Sequence, residues 1–267
     1  MKKVISYIAL FVLGFCFLMP FIIMVLGSLK EVEYAQLDPL FWIPDEPTLK
    51  NYKYILSDGL FLRWIWNSIV ITIIPVFSQM LFCAILGYIF SKKQFFGREV
   101  IFWIFMGVIM IPQQLLIIPK YIMFSDFGWI NTYWALIVPE IWGIMGVFLV
   151  RQFLQGIPND LEEAAYIDGA NDLKVFFKII LPLSVPVVAT VGTFSFISNW
   201  NDLFQPLIYL TQETMFPVTL GLASILGKEG NFGIEMAGSA VSFIPTFLIF
   251  LFFQRFFTEG IQMSGLK

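Results

Sequence analysis

The sequence has no histidine and only two cysteines. Without histidine, the chain has no imidazole to serve as metal ligand, proton shuttle or catalytic base. Cys16 and Cys83 each stand inside an apolar run, where they read as small hydrophobes and not as a disulfide or a metal pair. Charge is scarce as well. Asp, Glu, Lys and Arg make up 13% of the chain, against about 25% in a soluble domain. The net charge of −3 is too small to argue for a nucleic-acid partner. There is no internal repeat of the kind many secondary transporters carry, and no low-complexity linker divides the chain. A single membrane domain over 1–267 is therefore expected.

What the chain has in abundance is apolar side chains: 58% of residues, with 31 Phe and 8 Trp, and a mean hydropathy of +0.82. A helix that crosses a bilayer needs about 20 mostly apolar residues. Uncharged runs cover 4–29, 64–91, 100–119, 179–201 and 236–254, and a further run, 127–150, is interrupted only by Glu140. An all-α integral membrane protein with six spans is expected, at about 5–29, 64–90, 100–119, 129–150, 180–210 and 236–254. The first run is too long for the core of a signal peptide and reads as a retained anchor.

Orientation follows from Lys and Arg in the short loops. With a cytoplasmic N-terminus, ten of the 16 basic residues fall inside and six outside, and both termini are cytoplasmic. The outside loop 30–63 contains "DPLFWIPDEPTLKNYKYIL", which reads as a small ordered cap with short helical turns. The loop at 151–180 then faces the cytoplasm.

That loop is the polar exception in the chain. Asn159 stands three before Glu162, and Asp160 three before Glu163, so either pair fits a capping box that starts a helix. Leu161, Ala164 and Ala165 follow at helical spacing. Gly169 supplies a stop, because glycine accepts the left-handed backbone that ends helices, and Asp168 stands beside it to brace the turn. Asn171 caps a second helix, whose Leu173, Phe176, Phe177 and Ile180 form one apolar stripe. Pro182 and Pro186 open the fifth span. Two helices this short cannot stand alone. They lean on the membrane domain, on another subunit or on both, or they rest as an ordinary amphipathic loop at the lipid interface.

The segment "EEAAYIDGANDLKVFFKIILPLSVP" resembles the EAA loop of permease subunits in binding-protein-dependent ABC importers. Glu163, Ala164, Ala165, Asp168, Gly169, Ala170, Ile179, Leu181 and Pro182 carry the likeness. Further segments are similar to the carbohydrate-uptake branch, of the maltose-permease kind: "FWIPDEPTLKNYKYIL", "WNSIVIT", "IPQQLLIIPKYIMFSDFGWINTYWALIVP", "SNWNDLFQPLIYL" and "FFQRFFTEGIQMSGLK". Together they cover most of 38–267. Trp129 and Glu140 depart from the usual family residues, and Glu140 bears on substrate type.

The resemblance implies a type I ABC-importer permease fold with a cytoplasmic coupling (EAA) helix between spans 4 and 5. It implies a membrane subunit that forms half of a sugar pathway and couples to an ATPase through Glu162, Glu163, Ala164, Ala165, Asp168, Gly169 and Ala170. Glu162, Glu163 and Asp168 would meet basic groups on that partner, with Glu163 as the orienting charge and Gly169 as the hinge. Implied partners are a second, non-identical permease subunit, two copies of a cytoplasmic ATP-binding subunit, an extracytoplasmic sugar-binding protein and membrane lipid. The expected setting is a bacterial-type cell membrane. No cofactor is expected in this chain, since ATP and magnesium would be bound by the ATPase. The segment "GLASILGKEG" at 221–230 has the look of a phosphate-binding loop. It places five residues between Gly221 and Gly227 where four are needed, puts Glu229 where Ser or Thr would hold magnesium, and falls outside.

Polar residues inside spans face a cavity or a neighbouring helix. In the fifth span Gly192, Ser195, Ser198, Asn199 and Asp202 recur at three- and four-residue steps, with Gln205 near the outer end. Ser68, Thr72 and Gln79 align in the second span. Gln113 and Gln114 follow Pro112, where a kink would expose backbone groups. Ser195, Asn199, Trp200, Asn201, Asp202 and Gln113 are the candidate path residues, since amide, carboxylate and aromatic groups suit sugar hydroxyls and ring faces. Such faces also glue helices together. The competing function is a stand-alone secondary transporter or channel, for which the sequence offers little intramembrane charge. A membrane-embedded enzyme would need a nucleophile–base pair or a metal cluster, and no HExxH, paired Cys or intramembrane carboxylate pair is found.

Overall fold

A computed structural model describes residues 2–31, 42–225 and 231–264. The parts of the expected outside loop at 32–41 and of the glycine–lysine segment at 226–230 lie outside the described residues. The described chain forms helices and connections, with no β-strand. In order the helices are α1 (Lys2–Gly27), α2 (Lys50–Ser57), α3 (Gly59–Lys92), α4 (Arg98–Val108), α5 (Ile117–Asp126), α6 (Trp134–Ile137), α7 (Ile144–Gln155), α8 (Asp160–Ile167), α9 (Asp172–Val175), α10 (Leu181–Leu183), α11 (Val185–Trp200), α12 (Phe204–Tyr209), α13 (Val218–Ile225) and α14 (Phe232–Ser264).

Four helical stretches are long and apolar enough to cross a bilayer: Lys3–Gly27, Gly59–Lys92, Trp134–Gln155 and Phe232–Phe256. Two bent pairs qualify together: Arg98–Val108 with Gln113–Asp126, at 87°, and Asp172–Leu183 with Val185–Trp200, at 75°. With each pair taken as one span the total is six. Proline accounts for both bends. Pro112 adopts φ −58°, ψ 127°, which ends α4 before the 3-10 turn Gln113–Leu116, since proline offers no N–H and restricts the residue before it. Pro182 and Pro186 flank the second bend at Ser184.

The chain divides into two compact units, each built around its own contacts. The first comprises Met1–Trp66 and Phe216–Pro245. Here buried Asn51 of α2 donates to the carbonyls of Ser28 and Lys30, both at 2.9 Å, and Ser28 Oγ and Tyr52 Oη lie 2.6 Å apart. The chain leaving α1 is thereby tied to α2. Most of α1 is apolar and exposed all round, the condition of a helix covered by lipid or another chain.

The second unit comprises Asn67–Met215 and Thr246–Lys267. Its core joins α3, α4, α7 and the segment 175–191 through Cys83, Tyr88, Phe102, Val150, Leu154, Phe176 and Ile180, among others. α3 and α7 meet closely at Gly87, where a Cβ would come within 2.5 Å of Val150 Cγ1. Small residues permit such approach between membrane helices. Arg151, buried on α7, donates to both carboxylate oxygens of Glu99, at 2.9 and 2.7 Å, and its guanidinium lies 3.7 Å from the Phe102 ring centre.

Candidate functional site

α8 and the turn after it form a knuckle at the end of this unit. Gly169 has φ +77°, a left-handed conformation that glycine adopts without cost. Asn171 caps α9, its Oδ1 accepting from the Lys174 N–H at 2.9 Å. The start of α8 departs from the expected capping box. Asn159 makes no cap hydrogen bond; its Oδ1 accepts instead from Lys92 Nζ at 2.7 Å. The expected stripe on the second helix is also displaced. Val175, Phe176 and Ile180 are buried, while Leu173 and Phe177 are exposed. The cause is a π turn over Phe176–Ile180, whose i→i+5 bonds take up an extra residue and break the 3.6-residue spacing.

α8 has two unlike faces. Asp160, Glu163, Ala164, Ile167 and Asp168 are all exposed and recur at i, i+3, i+4, i+7 and i+8, so they share one face. Glu162, Ala165 and Ala170 turn inward. Ala165 and Ala170 rest on the core. Glu162, expected to meet a partner's basic groups, is only 6% exposed and accepts from the Tyr88 hydroxyl at 3.0 Å. Its other carboxylate oxygen has no hydrogen-bond partner among the described residues.

The end of α3 holds the knuckle. Lys92 donates to the Ile157 carbonyl and to Asn159. Lys93 donates to Tyr166 Oη at 2.6 Å and to Asp172 Oδ1 at 2.7 Å, and its Nζ lies 3.9 Å from Glu162. Burial pulls the Lys93 pKa down, but hydrogen bonds to Asp172 and Tyr166 outweigh it, and the net shift is upward. Tyr88, Lys92, Lys93 and Tyr166 were not singled out by the sequence as coupling residues. The lysines bore only on orientation.

At the other end of α11 is a polar cleft of about 410 Å³. It is lined by Gln113, Gln114, Lys120, Glu140, Ser198, Asn199, Asp202 and Gln205, with Ile117, Phe204, Ile208 and Tyr209. Three of the candidate path residues meet here: Gln113, Asn199 and Asp202. Ser195 is buried within α11, its Oγ 3.2 Å from Asn199 Nδ2. Trp200 is buried against Phe196, ring centres 5.5 Å apart and nearly parallel. Asn201 is exposed and donates to the Ile197 carbonyl at 2.8 Å. Glu140 accepts from Gln205 Nε2 at 3.2 Å, and Lys120 donates to Gln113 at 2.9 Å. Asp202 Oδ1 accepts from the N–H groups of Phe204 and Gln205, at 2.9 and 3.3 Å. Lys120 fell in an outside loop of the sequence, so its place beside span-five residues had no local signal.

An exposed polar helix thus lies at one end of this unit and a polar cleft at the far end of α11. Comparison with known proteins gives the family. Residues 83–263 match the binding-protein-dependent transport system inner membrane component, and the chain belongs to that family. It is a membrane-spanning permease subunit of an ABC importer. It works with a separate ATPase and a binding protein, so the stand-alone reading is set aside.

Among similar proteins, the arabinooligosaccharides transport system permease protein AraQ of Halalkalibacterium halodurans is 36% identical over 230 residues, covering 85% of this chain and 82% of that one. The trehalose/maltose transport system permease protein MalG of Thermococcus litoralis is 31% identical, covering 100% and 98%. A chain from the crystal structure of a bacterial ABC transporter involved in import of the acidic polysaccharide alginate superposes with a TM-score of 0.84 at 24% identity, over 96% of both chains, which supports the fold.

Proposed function

We propose that the chain forms half of the membrane passage of an ATP-driven carbohydrate importer and couples to its ATPase through α8. The observation that carries this is the outward face of α8: small Ala164 and apolar Ile167 flanked by Asp160, Glu163 and Asp168. A short helix of this kind suits the helix-in-groove mode. Ala164 permits close approach, Ile167 supplies an apolar anchor, and the carboxylates meet basic groups. Movement of the docked helix passes through Gly169, α9 and α10 to α11, a helix of about 24 Å at 1.5 Å per residue. The cleft at its far end is thereby remodelled. There Gln113, Asn199, Asp202 and Glu140 offer amide and carboxylate partners for sugar hydroxyls.

The N- and C-termini and the knuckle are cytoplasmic on this reading, and the cleft opens outward. The passage is completed by a second, non-identical permease subunit. Two ATPase copies bind ATP and magnesium, and an extracytoplasmic receptor delivers sugar. The names of the relatives favour carbohydrate cargo, neutral in some and acidic in others.

The test is copurification and reconstitution. Tagged chain should bring down a second permease and an ATPase. Proteoliposomes with receptor outside should take up maltose, trehalose or arabino-oligosaccharide only when ATP reaches the ATPase side. Uptake without ATP, or purification without any ATPase, defeats the proposal.

A further inference from the structure

The insert is joined to the membrane-spanning helices by two routes. One is covalent: α8 continues through Gly169, α9, the π turn, α10 and the 75° bend into α11. That route is interrupted by the left-handed turn at Gly169, by the π turn and by the bend. The other is the pair of lysines that ends α3. Lys92 grips the residues before α8, through Ile157 and Asn159. Lys93 grips the last turn of α8 and the residues after it, through Tyr166 and Asp172, and the two acceptors are themselves joined, Tyr166 Oη to Asp172 Oδ1 at 2.7 Å. Between them, buried Tyr88 of the same helix holds Glu162 at the middle of α8. α8 is thus fastened to α3 at its start, middle and end.

Magnitudes argue against a simple stabilising role for the lysines. Exposed ion pairs contribute about 0–1 kcal/mol each, and the Asp172 side chain is 68% exposed. What the arrangement supplies is position: an ammonium has three hydrogens in a compact head, and two oxygens within 2.7 Å fix where the end of the knuckle sits relative to α3.

We infer that Lys92 and Lys93 are positioning residues that make α3 a second lever, so that displacement of the knuckle is delivered to span two directly and in parallel with the path to α11. This rests on the reading of α8 as the docking helix, and the test separates the two. Spin labels are placed at Phe96→Cys, just beyond α3, and Leu173→Cys, on the knuckle, in a Cys16→Ser background; both positions are exposed.

In the assembled native-like complex their separation should stay within about 2 Å between the nucleotide-free and ATP–vanadate states, the scale of ordinary helix shifts. Lys93→Met should broaden that distance. It should also lower maltose or arabino-oligosaccharide moved per ATP by at least about fivefold, the lower edge of usual couplings, with Lys93→Arg restoring both. A nucleotide-driven change above that limit in the native-like complex overturns the inference, as does an unbroadened distance in Lys93→Met. Should Lys93→Met fail to assemble, Tyr166→Phe, which removes one hydroxyl from the same ammonium, is read by the same distances. If no ATPase copurifies with the unsubstituted chain, both readings fall. If it copurifies and the distance changes, only the lever does.

Discussion

Tyr88 and Glu162, 74 residues apart in sequence, meet in the interior with the hydroxyl 3.0 Å from the carboxylate. The contact separates two adjacent acids that the sequence treats alike. Glu162 fastens α8 inward, and Glu163 is left on the exposed face.

The two should therefore fail differently. Glu162→Ala takes away the carboxylate that accepts from the buried Tyr88 hydroxyl, at a cost of about 1–3 kcal/mol. The Glu163 side chain makes no hydrogen bond or ion pair among the described residues, so Glu163→Gln removes none. In detergent, Glu162→Ala should lower the unfolding midpoint by about 2–4 °C per kcal/mol lost, and Glu163→Gln should not. In a pull-down, Glu163→Gln should reduce ATPase retained while the permease level is unchanged. Equal behaviour of the two variants in both assays contradicts the assignment.

Arg151 provides a test of the α4–α7 contact. Its guanidinium spans Glu99, the Phe90 carbonyl and the face of Phe102, a geometry that needs a planar fork. Arg151→Lys should destabilise the protein by roughly 1–2 kcal/mol, the size of a desolvated cation–π contact, although the charge is kept. Thermal unfolding of Arg151→Lys beside Glu99→Gln checks this. The lysine variant should be at least as damaging, because Glu99 is half exposed and Arg151 is not.

The long apolar helices were legible because uncharged runs of bilayer length have few other uses, and the Gly169 turn and Asn171 cap were legible because each depends on neighbours within three residues. The lysine grip was not. Lys92 and Lys93 lie more than 60 residues from their acceptors, so no periodicity reports them. The Asn159 cap fails for the same reason: its side chain is taken by a residue far along the chain. Trp200 shares the polar end of α11 in sequence, yet its ring stacks on Phe196. On a helix apolar or small on nearly every face, spacing alone does not say which face meets the cleft.

At the cleft, Asp202 has two separable properties: an oxygen that accepts from two backbone N–H groups, and a charge. Asp202→Asn keeps an acceptor for that turn and removes the charge. Asp202→Ala removes both and costs about 1 kcal/mol, as loss of a capping side chain does. If the charge serves the passage, both variants should lose uptake while Asp202→Asn assembles like the native chain. Normal uptake by Asp202→Asn would mean the residue only orders the start of α12.

Gly169 allows the hinge to be tested without a steric confound. Apart from its own residue and its two chain neighbours, no described residue has an atom within 4 Å of where a Cβ would stand, so any penalty comes from the local backbone. Forcing φ near +77° on alanine costs about 1–2 kcal/mol, whereas asparagine is commonly found at such positions. ATPase association should therefore rank glycine, then Gly169→Asn, then Gly169→Ala, with Gly169→Pro abolishing it because proline fixes φ near −65°. All four chains should still reach the membrane, since the knuckle lies outside the spans. A ranking by side-chain size instead of by tolerance for positive φ would mean that the turn is a contact surface and that its conformation does not matter.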